Sequence, residues 1–192
     1  MEWRSVIPWS IEIDDWKPVS RLVAFLALAL YVLFLFYAAF DRSGFLFLDH
    51  ANLAIHEAGH PLFGIFAGEN QAGFGYTLML LGGTLLELLV PLACGFYFFF
   101  RREATGVAFS SFWFFENFLY IGTYMADART LALPRVGSGD HDRELLFTHW
   151  NILVHDQQIG HAIRTIGWLG MLVTVAWFAY RAFRRPSDEA SS

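Results

Sequence analysis

Long apolar stretches alternate with short polar ones along this chain, and the apolar stretches have the length of membrane helices. Residues 20–40 form a clean apolar run whose only charge is Arg21. Runs over 45–67, 74–100, 104–128 and about 160–183 follow, separated by charged, glycine-bearing or proline-bearing segments. A bilayer core about 30 Å thick takes about 20 apolar residues of helix. The pattern therefore predicts an all-α integral membrane protein with about five transmembrane helices in one bundle. Between the last two runs lies a polar loop, 129–159, containing Pro134, the glycine-rich GSGDHD and the amphipathic stretch RELLFTHWNILVHD. That stretch is expected to form a short interfacial helix along the membrane surface. No repeat or linker divides the chain, so 1–192 is expected to be a single membrane domain.

Composition sharpens the same picture. Hydrophobic residues make up 56% of the chain and charged residues only 16%, against about 25% charged in a soluble domain. The net charge is −5, and no Lys/Arg cluster exists beyond Arg101-Arg102 and Arg184-Arg185, so no nucleic-acid partner is expected. Membrane lipids are the expected surroundings. Cys94 is the only cysteine, which excludes intrachain disulfides and cysteine-based zinc sites. The N-terminal segment is mixed in charge and lacks the basic start and short apolar core of a signal peptide. It is expected to be retained, lying at the interface through Trp3, Trp9 and Trp16. With five spans the two arginine pairs fall on one side, and basic pairs beside span ends favour the cytoplasm. The expected location is a bacterial-type inner membrane, multi-pass, with a cytoplasmic C-terminus.

One apolar run contains an unusual set of polar groups. LAIHEAGHPLFGIF, residues 53–66, carries His56, Glu57 and His60, and ionisable side chains inside a membrane segment are costly and usually functional. Residues four apart share a helix face, so His56 and His60 can reach one ion while Glu57 stands beside them. This is the HExxH arrangement of zinc hydrolases. Imidazole nitrogens suit Zn²⁺, and three protein ligands leave one position for water. The adjacent carboxylate, Glu57, is placed to act as general base. Pro61 removes the helix hydrogen bond to the Glu57 carbonyl, which either frees that carbonyl for substrate or water or simply kinks the helix. Asn52 and Asp49 stand on the histidine face; Asn52 is a candidate partner for His56, and Asp49 is either another or a helix cap.

A third ligand must come from elsewhere. Glu116, Tyr120, Thr123 and Asp127 advance by four, three and four residues, forming one polar stripe on the fourth run that should face the bundle interior. Asp127, in YMADAR, is the first choice. The rival is the GSGDHD loop with Asp140, His141 and Asp142. Glu87, flanked by Gly83 and Pro91, is either a protonated structural residue or part of the site. His149, His155 and His161 are spaced by six residues and do not form a cluster.

On these residues the chain resembles the intramembrane zinc metalloproteases of the site-2 protease class. That family carries HExxH on one membrane helix and a metal-binding aspartate two helices later, within a three-helix core. Here the matching core is 45–129, with His56-Glu57-His60 on the second run and Asp127 on the fourth, although YMADAR stands where the family has LDG. The resemblance implies a membrane-embedded, zinc-dependent endopeptidase acting on transmembrane or juxtamembrane polypeptide. Two further readings stay open: a non-catalytic metal-binding accessory subunit of a larger membrane complex, and a di-iron carboxylate bundle built on Glu57-x-x-His60 with Glu87 and Glu116. The last wants two Glu-x-x-His pairs, and the chain has one.

Overall fold

Ser20 starts the first helix by accepting a hydrogen bond from the Val23 N–H at 3.3 Å, an N-cap of the kind that satisfies otherwise orphaned donors. The computed structural model describes residues 16–67, 73–133 and 142–184, and the regular elements among them are all helical. They are α1 (Arg21–Phe40), α2 (Asp49–Gly64), α3 (Phe74–Phe100), α4 (Ala104–Ala126), α5 (Asp142–His149) and α6 (Asp156–Phe183). A 3-10 turn, Leu153–His155, leads into α6. Trp3, Trp9, Asp140, His141 and Arg185 lie outside the described residues.

Three helical segments, rather than five, are long and apolar enough to cross a membrane: Arg21–Phe40, Phe74–Phe100 and Leu153–Phe183. The two others fall short for different reasons. At 16 residues, α2 extends only about 24 Å, because its helix starts at Asp49 rather than at Phe45. With 23 residues, α4 is long enough, but Ser110, Ser111, Glu116 and Asn117 make it too polar. Its surroundings account for the polarity. It packs against α3 on one side and α6 on the other, and Ser110, Glu116, Asn117 and Gly122 are buried there by protein. By contrast α1 buries only Ala24 and Tyr31.

The helices pack in the order α2, α3, α4, α6, α1, and the row curls so that α2 also meets α4. Backbones approach closely at two glycine crossings. A Cβ on Gly59 of α2 would overlap the Gly82 carbonyl of α3, and one on Gly122 of α4 would stand 2.6 Å from the Gly160 carbonyl of α6. Small residues at such crossings let packing replace side-chain bulk. On the α1 side Tyr31, Phe112, Met171 and Phe178 form one apolar cluster. A second unites Leu80 with Ala128, Leu146 and Phe147. Through the second cluster α5 docks on α3, so RELLFTHW is folded against the bundle rather than lying apart from it. Arg129 ties the end of α4 to the start of α6 by pairing with Asp156 at 2.7 Å.

Candidate metal centre

Gly59, in the middle of HEAGH, brings α2 against α3, and Gly83 of α3 then leaves room for an imidazole. A Cβ on Gly83 would meet the His56 ring at 2.5 Å. His56 and His60 sit one turn apart with ring centroids 4.9 Å from each other. The Nδ1 of His60 lies 3.0 Å from the Met79 carbonyl oxygen. A carbonyl only accepts, so Nδ1 carries the proton and donates, leaving the Nε2 lone pair turned the other way. The Nδ1 of His56 lies 3.1 Å from Oε2 of the buried Glu87, an ion-pair contact.

Both Nε2 atoms face a single oxygen. Asp142 Oδ2 stands 3.2 Å from His60 Nε2 and 3.7 Å from His56 Nε2, and one ligand atom from each residue lies within 4.8 Å of the other two. Two lone pairs and a carboxylate converging at this distance repel unless a cation lies among them or the rings take up extra protons. Ligands held at Zn–N and Zn–O distances near 2.1 Å in a tetrahedron are about 3.4 Å apart. The two nitrogen–oxygen distances to Asp142 bracket that edge length. Burial alone would raise the pKa of Asp142; the facing imidazoles and Arg143 more than offset it and hold the carboxyl well below its usual range.

The acidic side chain that stands with His56 and His60 is thus Asp142, the first residue of α5 and the last of GSGDHD, and not Asp127. The helix of α4 ends at Ala126, so Asp127 leaves the polar stripe and becomes the C-cap. Its carboxylate accepts hydrogen bonds from Thr130 Oγ1 at 2.5 Å and from the N–H groups of Ala132 and Leu133 at 2.9 and 3.0 Å. It fixes the turn that follows α4, up to Leu133.

Asn52 also differs from expectation. Instead of supporting His56 it donates to Glu116 Oε2 at 3.0 Å and to Asp49 Oδ1 at 3.3 Å, and it accepts from Trp113 Nε1 at 2.7 Å. Asp49 in turn accepts the Leu46 N–H at 2.6 Å. Glu116 and Asn52 therefore belong to a buried network joining α2 to α4, and Glu87 takes the place beside His56. Pro91 has a part in that placement. Lacking an N–H, it cannot bond the Glu87 carbonyl one turn earlier, and Asn117 of α4 donates to that carbonyl at 2.8 Å. Pro61 frees the Glu57 carbonyl in the same way; Pro61 and Glu57 are both exposed at the edge of the site.

Two side chains near the triad escaped sequence reasoning. Tyr124 stands with its ring 6.3 Å from that of His56 and 6.0 Å from that of Tyr120, nearly parallel to the latter. Arg143 follows Asp142 directly, is 1% exposed, and lies 5.6 Å over the Tyr124 ring. Among the described residues, none of its three guanidinium nitrogens has a hydrogen-bond partner. The carboxylates of Glu87 and Asp142 are its main opposing charges. The signals were present in the sequence, as a Tyr pair spaced by four and a basic residue following GSGDHD, but only the fold gives them a target.

No family model matches the chain, and the comparisons with curated proteins and with solved structures find no match either.

Proposed function

We propose that this chain is an integral membrane zinc metallopeptidase that cleaves polypeptide in or beside the bilayer. One observation carries the reading: His56, His60 and Asp142 converge within 4.8 Å, with Glu57 next to His56 in an HExxH motif. His56, His60 and Asp142 would hold Zn²⁺, and the ion would supply Lewis acidity there. Glu57, exposed at the rim, accepts a proton from the attacking water and passes it to the leaving amine. Glu87 and the Met79 carbonyl orient the two imidazoles so that both Nε2 atoms face Asp142. Arg143 offsets the negative charge of Glu87 and Asp142. Three helices long and apolar enough to cross a membrane support placing this centre in a multi-pass protein of a bacterial-type inner membrane. The basic residues near Arg101 and Arg184 favour a cytoplasmic end there.

Glu57→Gln tests the chemistry. The variant should keep its zinc and lose peptide cleavage by a factor of at least about 10², read with a fluorogenic peptide and by metal analysis on one preparation. Unchanged turnover would remove Glu57 as base. Zinc retained by the wild type without turnover on any peptide would favour the accessory-subunit reading.

A further inference from the structure

At the end of the bundle away from the histidines, a cavity of 320 Å³ opens between α3 and α4, walled by Pro91, Phe96, Phe99, Ser110, Phe114 and Phe115 among others. The walls are apolar apart from serine hydroxyls. Ser110 is 1% exposed, and its Oγ has no hydrogen-bond partner among the described residues. The cavity lies close to a basic, aromatic rim. Arg102 stacks over Phe99 with its guanidinium carbon 5.3 Å from the ring centre, and its buried Nη1 has no hydrogen-bond partner among the described residues. Trp16 packs edge-on against the same Phe99 at 5.7 Å and against Trp177 at 5.9 Å, and Arg181 lies 5.7 Å over Trp16. The Lys17 N–H donates to the Arg102 carbonyl at 2.9 Å. Glu103, which pairs with Lys17 at 2.6 Å and with Arg101 at 3.6 Å, is the acidic residue in the group.

We propose that this end is a binding site for an anionic phospholipid, with one acyl chain in the α3–α4 cavity and the phosphate on Arg102 and Arg101. Three features coincide there. The groove is apolar and lies beneath the end of a helix long enough to span a membrane. Basic side chains and tryptophans mark the level at which headgroups and interfacial aromatics meet. Arg102 offers a guanidinium nitrogen for which the described residues provide no acceptor, and phosphate is a strong acceptor for guanidinium. A zwitterionic lipid would fill the groove equally well, so the basic rim should add discrimination by headgroup charge. The basic rim is apart from the metal centre, since Glu87 and Phe99 are 12 positions apart on α3, about 18 Å along the axis, while the inner wall of the groove at Pro91 comes within one turn of Glu87. The inference rests on the membrane part of the proposed function and not on the metal chemistry.

The test is native mass spectrometry of the full chain in nonionic detergent, titrated with phosphatidylglycerol or phosphatidylcholine of the same acyl chains. Phosphatidylglycerol should bind the wild type at least about tenfold more tightly. Arg101→Gln combined with Arg102→Asn should erase that preference; Asn suits position 102, whose backbone is left-handed with φ 57°. Gly95→Leu should weaken both lipids, because a Cβ there meets Ser110 Cβ at an ordinary 3.6 Å and the rest of the side chain fills the groove. If Gly95→Leu fails to fold, Ser111→Leu fills the same groove from α4. Equal affinity of the wild type for the two lipids, or a preference that survives in the double arginine variant, overturns the proposal. So does unaltered binding by the filled-groove variant. Displacement of the lipid by millimolar inorganic phosphate would reduce it to a phosphate site without a chain groove. Recovery of the protein in the soluble fraction without detergent would instead overturn the membrane reading itself.

Discussion

The two halves of α3 border two different environments, and the contrast shows how one apolar helix can serve both. Its first half carries Met79, Gly82, Gly83 and Glu87, which face α2 and the histidines. The second half carries Phe96, Phe98, Phe99 and Phe100, which lead to Arg101 and Arg102. In the first half, small residues admit neighbouring backbone and an imidazole ring, and a buried carboxylate is tolerated because His56 and Arg143 stand near it. The second half is bulky and aromatic, with its charges kept beyond the helix end. Buried charge requires partners fixed in place, whereas an aromatic, basic rim requires only an interface to sit at. The histidine half should therefore be sensitive to single substitutions, and the aromatic half tolerant of them.

The largest expected effect lies in the first half. Asp142→Ala should remove stoichiometric zinc, measured by atomic emission after gel filtration, while Asp127→Ala keeps it. The Asp127 variant should instead lose about 2 kcal/mol of stability through its broken cap, read as a lower thermal midpoint. Full zinc content in Asp142→Ala would break the comparison at its centre. Gly59→Ala comes next: the added methyl runs into the Gly82 carbonyl, and overpacking of this kind costs about 3 kcal/mol. The same change at Gly95, where the nearest atom is 3.6 Å away, should be close to neutral. Equal losses at both glycines would show that the two halves are alike in tightness.

Glu87→Gln should weaken zinc binding by about 10- to 100-fold, the range for partners that orient metal-bound histidines. Asn52→Leu should leave zinc affinity unchanged and lower stability, since Asn52 serves the Asp49–Glu116 network. The smallest effect concerns pH in the metal-free chain. Asp142 has a depressed pKa when folded, so its contribution to the docking of α5 is complete above its unfolded value of about 3.9. It is lost as pH falls through the lower folded value. Hydrogen-exchange protection of α5 should thus persist at about pH 5 and decline below about pH 4; a decline already near neutrality would contradict the ion pairing.

Much of this could be read from the residues in order. His56, Glu57 and His60 follow from one helical turn, a geometry fixed over four residues and independent of what surrounds the helix. The apolar character of 21–40, 74–100 and 160–183 is likewise local, and these runs match the three helices long enough to span a membrane. The fourth run was harder, because α4 is sheltered by α3 and α6 rather than by lipid, and hydropathy does not say which neighbour provides the shelter.

Three assignments were decided by tertiary structure alone. Asp127 and Asp142 are both aspartates at helix ends, equally able to bind a metal. Which of them reaches His60 depends on how residues 127–133 turn and on where Leu146 and Phe147 dock against Leu80. The choice of Glu87 over Asn52 beside His56 depends on the glycine crossing of α2 with α3. The burial of Arg143 over Tyr124 depends on both. A helix face is set by bonds between near neighbours. Which carboxylate joins the two histidines is set by the packing of segments about eighty residues apart, and that packing is a property of the folded bundle as a whole.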